Sequence, residues 1–282
     1  MSENFPAPGK SDDGALERVV GRLDPGAFTA LSNATVSVAF LTVQAARHAG
    51  RRVGYTNTVL SVRVGPAVGS CAVERDELDD TVVRGLVGTD VAALLDHPIR
   101  AVRIAALDAW LAARRPHGAQ AGARTVRIAA GTSLEKSMAR ARAVAGLVRV
   151  RPAGRVAVIG VVNSLLSALR ERRIDYLPCD LLGGRTEWGE PVVTDHREAV
   201  GAADAVLASG MTLGNGTFDD ISRRCREGGL PLAVFAQTGS AVLRELLGDD
   251  VAALSAEPYP FFWLTGDASD IHLYGVDGGD PA

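Results

Sequence analysis

At 282 residues the chain exceeds the usual size of one domain, which predicts two domains of roughly 130 to 150 residues, each able to bury its own core. Its 47% hydrophobic and 22% charged residues exclude a disordered or fibrous chain, and a formal net charge of −3 without a long basic run excludes a general nucleic-acid surface. The cysteines, Cys71, Cys179 and Cys225, have no C-x-x-C spacing, so they predict neither a disulfide framework nor a zinc knuckle and fit a reducing cytoplasm. No window approaches the eighteen or so unbroken apolar residues of a membrane span.

In chain order, residues 1–14 are polar and read as a flexible arm. "ALERVVGRL" from Ala15 has helical spacing and ends near Asp24-Pro25-Gly26. "TVSVAFLTV" (Thr35 to Val43), "RVGYTNTVLSVRVG" (Arg52 to Gly65) and "GSCAVE" (Gly69 to Glu74) are rich in Val and Thr and predict strands or hairpins, although "AFLTVQAARHAG" reads equally as a helix closed by Gly50. Helical spacing follows at Asp76 to Leu86, Asp90 to Leu95 and Ile99 to Arg115, and again in "TSLEKSMARARAVAGLV", where Thr132 to Glu135 offers a capping box. This is an α+β order for residues 15–150.

The turn Pro152-Ala153-Gly154 marks a domain boundary. Residues 151–276 then alternate short apolar strands (156–160, 174–179, 204–209, 231–236 and "VAALS") with amphipathic helices (164–172, 196–201, 218–227, 240–247), leaving 277–282 as a tail. That alternation predicts a parallel sheet covered on both faces, with ligands beyond the carboxyl ends of its strands.

Four loops lie at that edge. Gly160 permits a tight strand-to-helix turn, and Asn163 or Ser164 can cap the following helix. Asp180 stands about twenty residues past Gly160, where an acid reads ribose hydroxyls in adenosine sites; it serves equally as a turn residue. Beside it, Cys179 is either a soft metal ligand or a small buried hydrophobe. In "SGMTLGNGTFDDI", Gly210, Gly214 and Gly216 surround Thr212 and Asn215, and Thr217 starts a capping-box spacing; such a loop can present several N–H groups to an anion. The fourth loop offers Thr238, and "SAEPYPFFWLTGD" after it carries Glu257 among aromatics that read as a pocket wall or an apolar plug, and leave room for a dimer.

The five histidines lie far apart without H-E-x-x-H or H-x-H spacing, so no His/Cys metal cage is predicted. G-x-S-x-G is absent, so no serine nucleophile is indicated. Glu74, Asp108 and Glu257 are the candidate catalytic acids, each reading more readily as structural.

"RPAGRVAVIG" leading into "LLSALRER", followed by "ADAVLASGMTLGNGTFDDI", resembles the Rossmann-like C-terminal domain of the family named "Putative heavy-metal chelation", most specifically in Thr212-Leu213-Gly214-Asn215-Gly216-Thr217. The first half, especially "IRAVRIAALDAWLA", looks like the small domain that precedes it in those proteins, similar in fold to the N-terminal domain of enolases. The chain departs from relatives at Val161-Val162 and at Asp108 within "AALDA". The resemblance implies an α/β protein with a Rossmann-like domain behind a smaller α+β domain, and a pocket between them for a metal or metal chelate. A small-molecule enzyme of that kind, an S-adenosylmethionine-dependent enzyme with Asp180 on the ribose, and a non-catalytic metallophore-binding module are the functions expected. S-adenosylmethionine and a divalent metal are the candidate cofactors.

Overall fold

The computed structural model describes residues 14–49, 54–74, 77–260 and 262–275. The expected arm, apart from Gly14, and the expected tail lie outside the described residues.

The first helix, α1 (Ala15–Gly21), is followed by α2 (Pro25–Ser32), which the sequence reading missed. Asp24-Pro25 ends one helix and starts the next: Asp24 Oδ1 accepts from the Ala27 N–H at 2.8 Å, and Pro25 sits where a missing N–H costs nothing. Strands β1 (Val36–Ala46), β2 (Tyr55–Val64) and β3 (Ala67–Val73) form an antiparallel sheet in that order. "AFLTVQAA" is strand, paired with β2 from Ala39↔Val62 to Ala46↔Tyr55, because its β-branched residues have a cross-strand partner along their whole length. Helices α3 (Asp80–Gly85) and α4 (Val91–Leu95) begin behind Asp79 and Asp90, whose carboxylates accept from the Val82 and Ala93 N–H groups. The helix expected from Asp76 therefore starts late, since Asp79 is its cap.

Helix α5 (Arg100–Arg114) is buried almost all round, from Ala101 and Val102 through Ile104 to Leu111. It lies on β2 and β3 and shares one hydrophobic core with the large sheet, including Ala157, Ile159, Ala208 and Val234. A helix apolar on every side is stable only between two layers, and α5 is that middle layer.

The large sheet has seven strands. Five are parallel, in the order β6 (Asp175–Cys179), β5 (Arg155–Ile159), β7 (Ala205–Ser209), β8 (Leu232–Ala236) and β9 (Ala253–Ala256). Beyond β9, β10 (Ser269–Tyr274) and β4 (Arg124–Ile128) add antiparallel strands. Both escaped the sequence reading because they are short strands carrying charged residues, without a continuous apolar run, and β4 lies at the sheet edge. Helix α6 (Ser133–Ala145) has the expected capping box of Thr132 and Glu135. With β4 it joins the large sheet, so residues ahead of the expected boundary at 151 belong to that layer.

Helix α7 (Asn163–Glu171) packs with α6 on one face. Helices α8 (His196–Gly201), α9 (Met211–Gly214), α10 (Phe218–Gly228) and α11 (Ser240–Arg244) complete the chain. No described helix is long and apolar enough to cross a membrane.

Candidate binding site at the carboxyl edge of the large sheet

The chain leaves β5 outward to β6 and returns across it to β7, so the strand order reverses between β5 and β7. A crevice opens beyond the carboxyl ends of strands at such a point. Gly160 stands at it with φ 90°, and a Cβ there would lie 2.7 Å from the Ser209 Cβ, so the loops after β5 and β7 meet only because it is glycine.

The sequence-predicted residues of this edge are turned largely to holding the loops. Asp180 Oδ2 accepts from the Val161 N–H at 3.1 Å and Oδ1 from the Leu182 N–H at 3.1 Å, so it closes its own turn and pins the first loop. Val162, not Asn163 or Ser164, is the N-cap of α7. Asn163 Oδ1 accepts from the Glu187 N–H at 3.3 Å, and the Ser164 hydroxyl pairs with Ser137 at 3.0 Å, linking α7 to α6.

The glycine-rich loop is likewise a packed structure and not an open nest. Its first half is α9, Thr212 Oγ1 donates to the Ser209 carbonyl at 2.7 Å, and Asn215 Oδ1 accepts from the N–H and hydroxyl of Thr217. Thr217 makes no side-chain cap to α10. A Cβ on Gly210 would meet the Thr238 carbonyl at 2.7 Å, and one on Gly214 the Ala72 carbonyl at 2.6 Å, so these glycines admit neighbouring backbone. Gly216 keeps the left-handed conformation at φ 78°. From the small unit, Arg100 Nε donates to the Leu213 carbonyl at 2.9 Å, and the Ser70 carbonyl accepts from the Gly239 N–H next to buried Thr238.

Of the three acids, Glu74 is exposed at the end of β3, its N–H bonded to the Glu77 carboxylate. Asp108 is neither a solvated helix residue nor a crevice acid. It is 4% exposed, and its oxygens accept from the N–H groups of Ser70 at 3.0 Å and Ala241 at 2.7 Å, tying α5 to β3 and α11. Burial pushes its carboxyl up to about 6 against those bonds.

Glu257, directly after β9, stands in a buried charged constellation at this edge. Its carboxylate accepts from Arg140 Nε at 3.0 and 2.9 Å, from Ser255 at 3.0 Å and from Gln237 at 3.3 Å. The side chains of Arg140 and Glu257 are 7% and 0% exposed. Arg140 also lies over the Phe235 ring at 5.0 Å, and among the described residues neither of its Nη groups has a hydrogen-bond partner.

The far end of the β1–β2 hairpin reaches this place. His48 Nδ1 lies 3.0 Å from the Ser133 hydroxyl at the start of α6, and Trp263 packs against His48 at 4.9 Å and Tyr55 at 6.0 Å between ring centroids. Partial burial raises the Tyr55 phenol to about 12 against the pull of nearby Arg140. The aromatic run is thus used inside the chain: Trp263 meets the hairpin, and Phe262 is buried beneath Lys136. Lys136, 1% exposed, donates to the Phe262, Thr265 and Asp267 carbonyls and to the Ser269 hydroxyl, fixing the segment that carries Trp263.

Sequence reasoning missed Arg140, Lys136, Gln237, His48, Tyr55 and Trp263. One signal was present: Arg140 shares the i, i+4 stripe of α6 with buried Val144, and a cation in an apolar stripe is buried only with a partner. The thiols of Cys71, Cys179 and Cys225 are all held protonated by burial, so Cys179 falls on the hydrophobe side of its two readings.

Residues 143–230 match the family DUF364, described as "Putative heavy-metal chelation". The resemblance carried by the second half of the chain is thereby shown. Two solved structures of proteins of unknown function from that family share the fold. One, from Desulfitobacterium hafniense DCB-2, is 13% identical over 86% of this chain and 85% of its own, with a TM-score of 0.55. The other, from Pyrococcus horikoshii, is 14% identical over 92% of this chain and 99% of its own, with a TM-score of 0.56. No curated protein matches the chain.

Proposed function

We propose that the protein binds a small carboxylate-bearing chelator, or its metal complex, at the carboxyl edge of the large sheet beneath the β1–β2 hairpin. The observation that carries this reading is Arg140: Glu257 holds it by Nε, and among the described residues its two Nη groups have no acceptor. A guanidinium offers donors in a fork that matches a carboxylate, and chelators of hard and borderline metals are rich in carboxylates. Tyr55, His48 and Trp263 supply an aromatic and imidazole wall over that anchor.

The metal comes as cargo, with its donors on the small molecule. Among the described residues no group of three or more His, Cys, Asp or Glu side chains is placed to hold an ion, so a bare metal finds no ligand set here. Binding rather than turnover is favoured, because every contact of Glu257 serves to hold it as the counter-charge of Arg140, not as a free base. The S-adenosylmethionine reading needs Asp180 on a ribose, whereas both of its oxygens already accept backbone N–H groups.

Isothermal titration with citrate, with Zn²⁺ and with zinc citrate tests this. Citrate and zinc citrate are expected to bind, and Arg140→Lys, which keeps the charge beside Glu257 but loses the fork, to weaken both about tenfold. No heat from any of the three, or full affinity in the variant, overturns the reading.

A further inference from the structure

The opposite end of the large sheet carries a feature that the crevice does not use. At the amino ends of β5 and β6, an open groove of about 440 Å³ runs between the segment after α6 and the end of α7. Arg151, Arg172 and Arg173 line it, together with the apolar side chains of Val148, Val150 and Ile174. Arg151 is held by Asp204 at 2.8 Å, Asp175 by Arg155 at 2.8 Å, and Glu171, next to Arg172 in the chain, by Arg142 at 2.9 Å. Arg172 and Arg173 have no ion-pair partner among the described residues.

The backbone adds a second, independent observation. Among the described residues, the non-glycine residues with positive φ are Ala153 at 61° and Arg173 at 57°, and both line this groove. Left-handed backbone is disfavoured for any residue with a Cβ, and the position just past a helix C-cap, which Arg173 occupies after α7, is the one where glycine is commonest. Strain at two residues that converge on one groove marks a place where side chains are kept against local preference. At Arg173 what is kept is an arginine on a groove that Arg172 also lines.

We propose that this groove binds a phosphorylated small molecule with an apolar or aromatic body, the phosphate between Arg172 and Arg173 and the body on Val148, Val150 and Ile174. Paired guanidiniums recognise a phosphate through charge-assisted, forked hydrogen bonds, and the apolar side favours an ester over the free ion. Both arginines are exposed, so the affinity falls with ionic strength.

Phenyl phosphate, inorganic phosphate and phenol are the probes, titrated calorimetrically into the full chain. Phenyl phosphate is expected to bind more tightly than inorganic phosphate, phenol not at all, and affinity to drop between about 50 and about 300 mM salt. Arg172→Gln is expected to weaken phenyl phosphate about tenfold. Arg173→Gly relieves the left-handed strain, so it should raise the melting temperature by about 2 °C while weakening phenyl phosphate about tenfold, opposite signs that a structural arginine does not give. Arg140→Lys leaves this binding unchanged, which separates the groove from the crevice. The proposal is overturned if phenyl phosphate gives no heat up to about 10 mM, or if Arg172→Gln and Arg173→Gly bind it as tightly as the parent.

Discussion

Asp108 shows how far one side chain can depart from its sequence reading. It sits among "AALDA", where every neighbour is buried, and a carboxylate survives there because backbone N–H groups of two other elements converge on it. With a folded value of about 6 against an ordinary value of about 3.9, the folded chain holds a proton that the unfolded chain has released between those pH values. Its contribution to stability is therefore complete below about pH 4 and lost as pH rises through 6, by up to about 3 kcal/mol. His117 works in the opposite sense. Burial, with Arg244 and His272, lowers it to about 3, its ring set between Tyr274 at 2.7 Å and Ser240 at 3.2 Å, so its contribution is lost as pH falls below about 6.5. Comparison with Asp108→Asn cancels the histidine: in urea titrations at successive pH values from 4 to 7, the parent's advantage over the variant should shrink as pH rises. A constant difference would show that Asp108 is charged throughout.

Among the elements, α6 and the glycine-rich loop divide by what their patterns encode. The capping box of α6 follows from four adjacent residues, and it stands as read. The loop from Ser209 to Thr217 has the composition of an anion-binding nest, yet its glycines admit β3 and the Thr238 turn. Composition reports that a Cβ is unwelcome; only the packing reports whether a ligand or a neighbouring backbone takes the space. Gly214→Ala places a methyl 2.6 Å from the Ala72 carbonyl and 3.0 Å from Cys71 Sγ. Overpacking against backbone should cost about 2 kcal/mol and lower the melting temperature by about 5 °C, measured by differential scanning calorimetry. A melting point equal to the parent's would mean that α9 can move off β3. Strand β4 was illegible for a related reason: "RTVRI" alternates weakly, and its pairing with β10 lies nearly 150 residues away.

At the scale of the whole molecule, the small antiparallel sheet does two things for the large one. Through α5 it shares the core beneath the parallel strands, and through the β1–β2 hairpin it reaches Trp263 and the edge where Arg140 stands. Among the described residues the second contact includes the His48 and Tyr55 rings on Trp263 and the His48–Ser133 hydrogen bond, whereas the first is a continuous buried face. Trp263→Ala should leave the global melting temperature within about 2 °C of the parent. In hydrogen exchange it should speed the backbone of β1 and β2 nearest residues 48 and 55 and spare α5. Unchanged exchange at those positions would show that the hairpin is held by something other than the tryptophan.

The sequence by itself determined what depends on neighbours along the chain: the capping box of α6, the buried strands from Arg155 onward, the glycine at the β5 turn, and the motif shared with the family. Those are decided by backbone sterics, periodicity and capping within a few residues. Which charges meet was decided only by the tertiary structure. Arg140 and Glu257 are 117 residues apart, and Asp108 lies 133 residues from Ala241, separations across which spacing carries no information. The candidate site was legible as an edge of a sheet and not as a set of partners, because a buried charge is placed by whatever elements pack around it.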